Sequence, residues 1–164
     1  MHRECREFVA WALSQIPTPR RVVELGSLNV NGGVLDLITA AEYQGIDIEA
    51  GPGVDVVADG AEYLPDCAPD LVLCLEVLEH APDPRAIVAN ALRMLAPGGA
   101  LVLTCASTTR EPHGCKGGAV GGEHYQGIEV CDLHAWLGGF AHVDVRAYPL
   151  RGDLYALAIK GERE

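Results

Sequence analysis

The chain has 164 residues, 12 basic and 23 acidic, for a net charge of −11, and 49% of them are hydrophobic. That length suits a single domain over 1–164 with room for a full core. No apolar run reaches the length of a membrane span and no signal-peptide pattern opens the chain. The acidic balance, with no basic cluster, argues against nucleic acid as a partner. The six cysteines are scattered, and Cys74 and Cys105 fall in runs that read as buried strands. Reduced thiols in a cytoplasmic protein are expected.

Cys5, Phe8, Val9, Ala12, Leu13 and Ile16 fall on one face of a helix, which Pro17 and Pro19 end. This helix is expected to cover one side of a sheet. A short apolar strand over 21–25 follows and runs into Glu24-Leu25-Gly26, then a loop of small and amide residues, then Gly32-Gly33. Val34, Leu35, Leu37, Ile38 and Ala41 then carry helical spacing, which predicts a helix over 31–41 and so the opening of a βαβ unit. Ligands bind at the carboxyl ends of strands in such sheets. Gly26 lets backbone approach a ligand, and Asn29 and Asn31 are both available as helix caps. The turn is not a dinucleotide fingerprint, because Leu28 and Asn31 stand at the second and third glycine places, and it has no Gly-Lys-Ser/Thr. Glu24 would repel a pyrophosphate and suits a ligand with an ammonium group.

A second strand over 43–48 carries Asp47 near its end. This acid lies about 20 residues past the first turn, where a ribose-binding carboxylate is expected in nucleoside-binding folds. A third short strand over 54–58 ends at Asp59-Gly60, a pair that can read an adenine edge. The near-continuous apolar run of 70–75 has the character of a central parallel strand and leads into Glu76-Val77-Leu78-Glu79-His80. Asp83 and Pro84 open the next helix, and Pro97-Gly98-Gly99 stops it before a fifth strand over 100–105. Val130, Leu133 and Leu137 mark a further helix, and Val143, Val145 and Ala147 a sixth strand. Only residues 149–153 separate it from a seventh strand over 154–159, too few for a parallel crossover, so the last two pair antiparallel.

Five segments, in order, resemble the class I S-adenosylmethionine-dependent methyltransferases, in particular the methyltransferase type 11 group. They are Glu24-Leu25-Gly26, Gly45-Ile46-Asp47, Val57-Ala58-Asp59, Glu76-Val77-Leu78-Glu79-His80 and Leu95-Ala96-Pro97-Gly98-Gly99. The resemblance implies one doubly wound, mostly parallel seven-stranded α/β sheet closed by an antiparallel hairpin. It implies S-adenosylmethionine as cofactor, with Gly26 beside its methionine part and Glu24 near the amino group. Asp47 would bind the ribose, Ile48 would lie against the adenine, and Asp59 with the Gly60 amide would read the adenine edge. Backbone at Leu75 and Glu76 would approach the methionine end. The first loop departs from the pattern, since many relatives have glycines at the places of Leu28 and Val30.

Residues 106–127 form a long loop with six glycines that also holds His113, Cys115, Lys116, Glu123, His124 and Tyr125. Loops of this length inside compact domains are usually functional or mobile. In the resembled family this region faces the transferred methyl, so the resemblance implies that it is the acceptor lid. A base is needed only where the acceptor must lose a proton, and histidine suits that role. His124 is the first candidate and His113 the second, whereas His80 reads as structural and Glu76 and Glu79 as weaker candidates. His113, Cys115, Cys131 and His134 have spacings that a zinc clip would use, but the reading expects no metal. The acceptor is expected to be a small molecule. A cofactor-binding module without catalysis is the alternative, and the histidine-bearing loop argues against it.

Overall fold

The computed structural model describes residues 2–162. Helix α1 (Arg3–Ser14) buries Cys5, Phe8, Val9 and Ala12, as their spacing requires. The strands are β1 (Arg21–Leu25), β2 (Glu42–Asp47), β3 (Val56–Val57), β4 (Leu71–Leu75), β5 (Ala100–Ala106), β6 (His142–Tyr148) and β7 (Asp153–Ile159). They form one sheet in the order β3-β2-β1-β4-β5-β7-β6. β1 to β5 pair in parallel, and β7 runs antiparallel to both β5 and β6, the hairpin expected from its short connection. The chain winds outward from β1 through β2 to β3, then returns to β4 on the other side of β1. The boundary between β1 and β4 is therefore the switch point at which a crevice opens.

Alternation along the central strands divides the core in two. Val23, Leu25, Val72 and Cys74 face the helices α2 (Pro84–Met94) and α3 (Val130–Trp136), with Ile87, Val88, Ala91 and Leu133 among their neighbours. Val22, Leu71 and Leu73 face α1 through Phe8, Val9 and Ala12. Helices thus cover both faces. α2 starts as its sequence predicts, with the Asp83 side chain accepting from the Ala86 amide at 3.0 Å and Pro84 in the first position.

The expected helix over 31–41 does not form; a single 3₁₀ turn at Leu35–Leu37 stands in its place. Gly32 and Gly33 each cost a helix about 1 kcal/mol relative to alanine. The surrounding bonds also hold the segment in other conformations. The Leu28 amide donates to Asp47, the Asn29 amide to the Pro52 carbonyl, and the Gly32 amide to the Asn29 side chain. On the far side, Arg6 of α1 bonds the Gly33 carbonyl and forks onto Asp36 at 2.9 and 2.6 Å. α1 thus covers much of the face that a crossover helix would have filled, with Leu37 and Ile38 packed at its margin. Other boundaries shift less. β2 stops at Asp47 and leaves Ile48 outside the strand, and β3 is only two residues long. All six cysteines are free, and among the described residues no helix is long and apolar enough to cross a membrane.

Candidate active site

The carboxyl ends of β1, β2 and β4 bring the expected cofactor residues to one side of the sheet. Asp47 ends β2 with its carboxylate accepting from the Leu28 amide at 3.1 Å and the Glu49 amide at 2.9 Å. It anchors the β1 loop to the β2 turn, and each oxygen retains accepting capacity for a ligand hydroxyl. Ile48 follows with 72% of its surface exposed, an apolar side chain at the crevice with little protein over it. Asp59 caps its own turn through the Ala61 amide at 2.8 Å. The Gly60 carbonyl accepts from Asn90 of α2 at 2.9 Å. The pair expected at the adenine edge is thus held by its own turn and by α2.

Gly26 has a φ of +75°, and a Cβ there would sit 2.1 Å from Val77 Cγ2. The glycine's first service is to the protein: it lets the β1 turn close on the segment after β4. Glu24 is buried, and its carboxyl accepts a bond from the Tyr43 hydroxyl. Burial raises its pKa above the usual carboxylate range, partly opposed by that bond. An ammonium group near Glu24 would share the carboxyl with Tyr43. The Ser27 hydroxyl beside it is buried with no partner among the described residues. An orphaned hydroxyl in the β1 turn, an exposed isoleucine at the end of β2, and Asp47 at the loop junction fit an adenosyl ligand carrying an amino-acid tail.

The segment leaving β4 connects this crevice to a second cluster. Leu75 is buried, and the Glu76 amide donates to the Thr104 carbonyl at 2.8 Å. Glu76 is the only non-glycine with positive φ among the described residues, at 58°. Such a conformation costs free energy and persists only where its surroundings enforce it. The Glu76 side chain is held by Arg110, which donates to it at 2.8 Å and to Asp153 at 2.9 Å. The Arg110 side chain also reaches His2 of the N-terminal segment at 2.6 Å. Sequence reasoning missed Arg110. Its only signal was a basic residue in the lid of a chain that has acids at the ends of both β4 and β7.

Just beyond, Glu79 is fully buried. Its Oε1 accepts from the Ala106 amide at 3.1 Å, while Oε2 has no partner among the described residues. Burial pushes its carboxyl well above the usual range, reinforced by the neighbouring Glu76 charge. The rings of His80, His113 and Tyr125 meet edge-on, with centroids 5.3, 5.5 and 5.1 Å apart. His80 Nδ1 and the Tyr125 hydroxyl are both buried without a partner among the described residues. Burial, then the nearby His113, pulls the His80 pKa below its usual value. His80, read from the sequence as structural, thus lies within this ring cluster.

The two expected bases separate. His113 joins the ring cluster, whereas His124 is exposed and stands outside it; it is its neighbour Tyr125 that turns inward. Residues 124–127 form irregular backbone, so adjacent side chains there are free to face opposite ways. Nor do the four residues of the zinc-clip alternative gather: His113 lies with Glu79 and His80, while Cys131 and His134 lie exposed on α3.

Comparison with known proteins supplies the family. Residues 1–135 match the family described as Methyltransferase domain. The Ubiquinone biosynthesis O-methyltransferase of Psychrobacter cryohalolentis is 35% identical over 107 residues, 62% of this chain and 37% of that protein. Its counterpart from Idiomarina loihiensis is 32% identical over 127 residues, 66% of this chain and 50% of that protein. The chain thus spans half or less of the length of these curated relatives. Among solved structures, the N-methyltransferase NodS from Bradyrhizobium japonicum WM9, in complex with S-adenosyl-L-homocysteine, superposes with a TM-score of 0.69 at 17% identity. The match covers 97% of this chain and 86% of that one. The 1,6-didemethyltoxoflavin-N1-methyltransferase of Burkholderia thailandensis gives a TM-score of 0.67 at 14% identity, over 98% and 78%. At these identities the likeness is one of fold. The family match, the fold and the arrangement of the crevice agree, and the chain belongs to the methyltransferase-domain family of class I S-adenosylmethionine-dependent methyltransferases.

Proposed function

We propose that this chain transfers a methyl group from S-adenosylmethionine to a small-molecule acceptor, with Glu24, Gly26, Asp47, Ile48, Asp59, Gly60, Leu75 and Glu76 forming the cofactor crevice. The observation that carries the reading is the shared segment 76–80. Val77 packs into the β1 turn, and three residues later His80 belongs to the ring cluster under the lid. A methyl donor on one side and an acceptor on the other would meet across that segment. The bound cofactor supplies a methyl on a sulfonium, so that as the acceptor's lone pair forms the new bond, the carbon–sulfur pair returns to sulfur.

The protein's own part is alignment and exclusion of water. Asp47 holds the ribose hydroxyls and Ile48 offers an apolar surface to the adenine. Tyr125 and His113 wall the acceptor side. His113 is the favoured acceptor of a proton from a hydroxyl or amine nucleophile, which it then passes to solvent, and His124 is the weaker candidate. The net charge of −11 supports a small or cationic acceptor over nucleic acid, and six free cysteines support a reducing, cytoplasmic setting.

Calorimetry with S-adenosylhomocysteine, together with a turnover assay on a panel of small phenols and amines, tests the proposal. Binding at one per chain, weakened about 10-fold or more in Asp47→Ala by loss of charge-assisted bonds, is expected. Unchanged affinity in Asp47→Ala would remove that residue from the site, and no turnover with any acceptor would favour the non-catalytic binding module.

A further inference from the structure

Glu79, His80 and His113 come from different parts of the chain, two from the turn after β4 and one from the lid. Each offers one ligand atom, and the three atoms lie within 4.8 Å of one another. Donors that share an ion at about 2.1 Å lie about 3.0–3.4 Å apart in facial or tetrahedral sets, so the three side chains close on a cation by movements of up to about 1.8 Å. Two of the three present buried polar atoms without a partner among the described residues, Glu79 Oε2 and His80 Nδ1. Most buried polar atoms in folded proteins are bonded, and an unsatisfied one commonly marks an absent water or ion.

The outer contacts match what metal-binding histidines require. A ligating imidazole usually donates its other N–H to a backbone carbonyl or carboxylate, which fixes the tautomer and aims the bare nitrogen at the ion. His113 Nδ1 meets the Glu111 carbonyl at 3.2 Å, which leaves Nε2 as the bare nitrogen. His80 packs against the His113 and Tyr125 rings, with Nδ1 buried and unpartnered among the described residues. Glu79 is fixed from behind by the Ala106 amide on Oε1, which leaves Oε2 exposed to the cluster. The zinc clip weighed from the sequence drew on His113, Cys115, Cys131 and His134, of which His113 alone belongs to this group.

We infer that Glu79, His80 and His113 form a binding site for one divalent first-row transition cation, with an open coordination position facing the acceptor side. Two imidazoles and one carboxylate are the donor set of catalytic zinc sites and of facial-triad iron sites, both of which keep a position for water or substrate. Tyr125, with its hydroxyl buried and unpartnered beside both histidine rings, stands where a ligand of the cation would need a bonding partner. The methyl-transfer reading adds a consequence that cation binding itself does not need: with the cation bound, His113 is a ligand and no longer the base. The open position then takes an oxygen of the acceptor, whose proton the cation makes easier to lose, which points to a hydroxyl-bearing substrate.

The test is titration of chelator-stripped full-length protein with Zn²⁺ by calorimetry, and with Co²⁺ by visible absorption. One site per chain is expected, weakened more than about 100-fold in His80→Ala and His113→Ala and unchanged in His134→Ala, since even outer contacts of such sites carry 10–100-fold effects. Glu79→Gln serves as the second variant because a glutamine still accepts from the Ala106 amide, so the backbone contact survives; it should also lose the cation. Absence of binding in the wild type, or equal binding in all of these variants, would overturn the inference. Affinity for S-adenosylhomocysteine is measured in parallel. Cation binding without nucleoside binding would leave this site standing and remove the methyl-transfer reading.

Discussion

Two carboxyls are buried beside the cleft, Glu24 within β1 and Glu79 just past β4, and they are treated in opposite ways. Glu24 is satisfied by Tyr43 from the neighbouring strand, a bond wholly within the sheet. Glu79 has one oxygen held by a backbone amide and the other bare, beside two histidines and a tyrosine whose polar atoms are also short of partners. On the β1–β3 side the carboxyls are settled by local bonds, and the Ser27 hydroxyl is the one buried polar side-chain atom left unmatched among the described residues. The β4–β5 side keeps polar groups dry and unmatched. Dry, unmatched groups are costly to stability and are characteristic of places where chemistry is done.

The contrast can be broken most sharply at His113. His113→Ala is expected to lower turnover about 10²–10⁴-fold, with S-adenosylhomocysteine affinity within about twofold, because its partners lie on the acceptor side alone. Paired turnover and calorimetry check this; a parallel fall in nucleoside affinity would show that the two sides are one site. Arg110→Ala should come next. It leaves Glu76 and Asp153 largely buried without their cation, and the cost is about 3 kcal/mol in urea unfolding. A loss under 1 kcal/mol would mean that water replaces the guanidinium and that Glu76 holds its backbone unaided.

On the quieter side, Gly26→Ala introduces a Cβ at positive φ against Val77, for a destabilisation of about 1–3 kcal/mol in the same assay. Glu24 carries a pH signature. Its folded pKa is raised, so its contribution to stability is full below the ordinary carboxylate pKa and is lost as pH rises through the folded value. Glu24→Gln should therefore gain stability relative to wild type as pH rises, and a difference that stays flat with pH would show that the charge is well solvated. The smallest effect is expected at His124. Its exposed ring should make His124→Ala indistinguishable from wild type within about twofold in turnover, and a loss beyond tenfold would return it to the acceptor side.

Much of the proposed cofactor side was legible in outline, because strand ends encode position locally. Asp47 and Asp59 stand at predictable offsets from apolar runs, and Asp83-Pro84 announced α2 by chemistry confined to one turn. The first crossover was misread because helical spacing in Val34, Leu35, Leu37 and Ile38 says nothing about what already occupies that face. α1 holds it through Phe8 and Val9, and Arg6 ties down Gly33 and Asp36. The acceptor cluster was hidden for a different reason. Its members are Glu79, His80, His113 and Tyr125, brought together by the path of a glycine-rich loop that has no periodicity to read. Adjacent Glu79 and His80 at the end of a buried strand were the available signal. Choosing His113 over His124 needed coordinates, because neighbours on irregular backbone have no fixed facing.

β7 lies between β5 and β6 although it follows both in the chain. As the polypeptide leaves the ribosome, β1 to β5 can assemble with neighbours already made, whereas β6 pairs with β7 alone and must wait for it. Asp153, the first residue of β7, also supplies half of the grip on Arg110. The order of synthesis therefore divides the cleft in time. The nucleoside half has all its residues by the end of β5, while the half that would receive the acceptor is locked only when the last strand threads into the gap, closing a contact from Ala100 to Ile159.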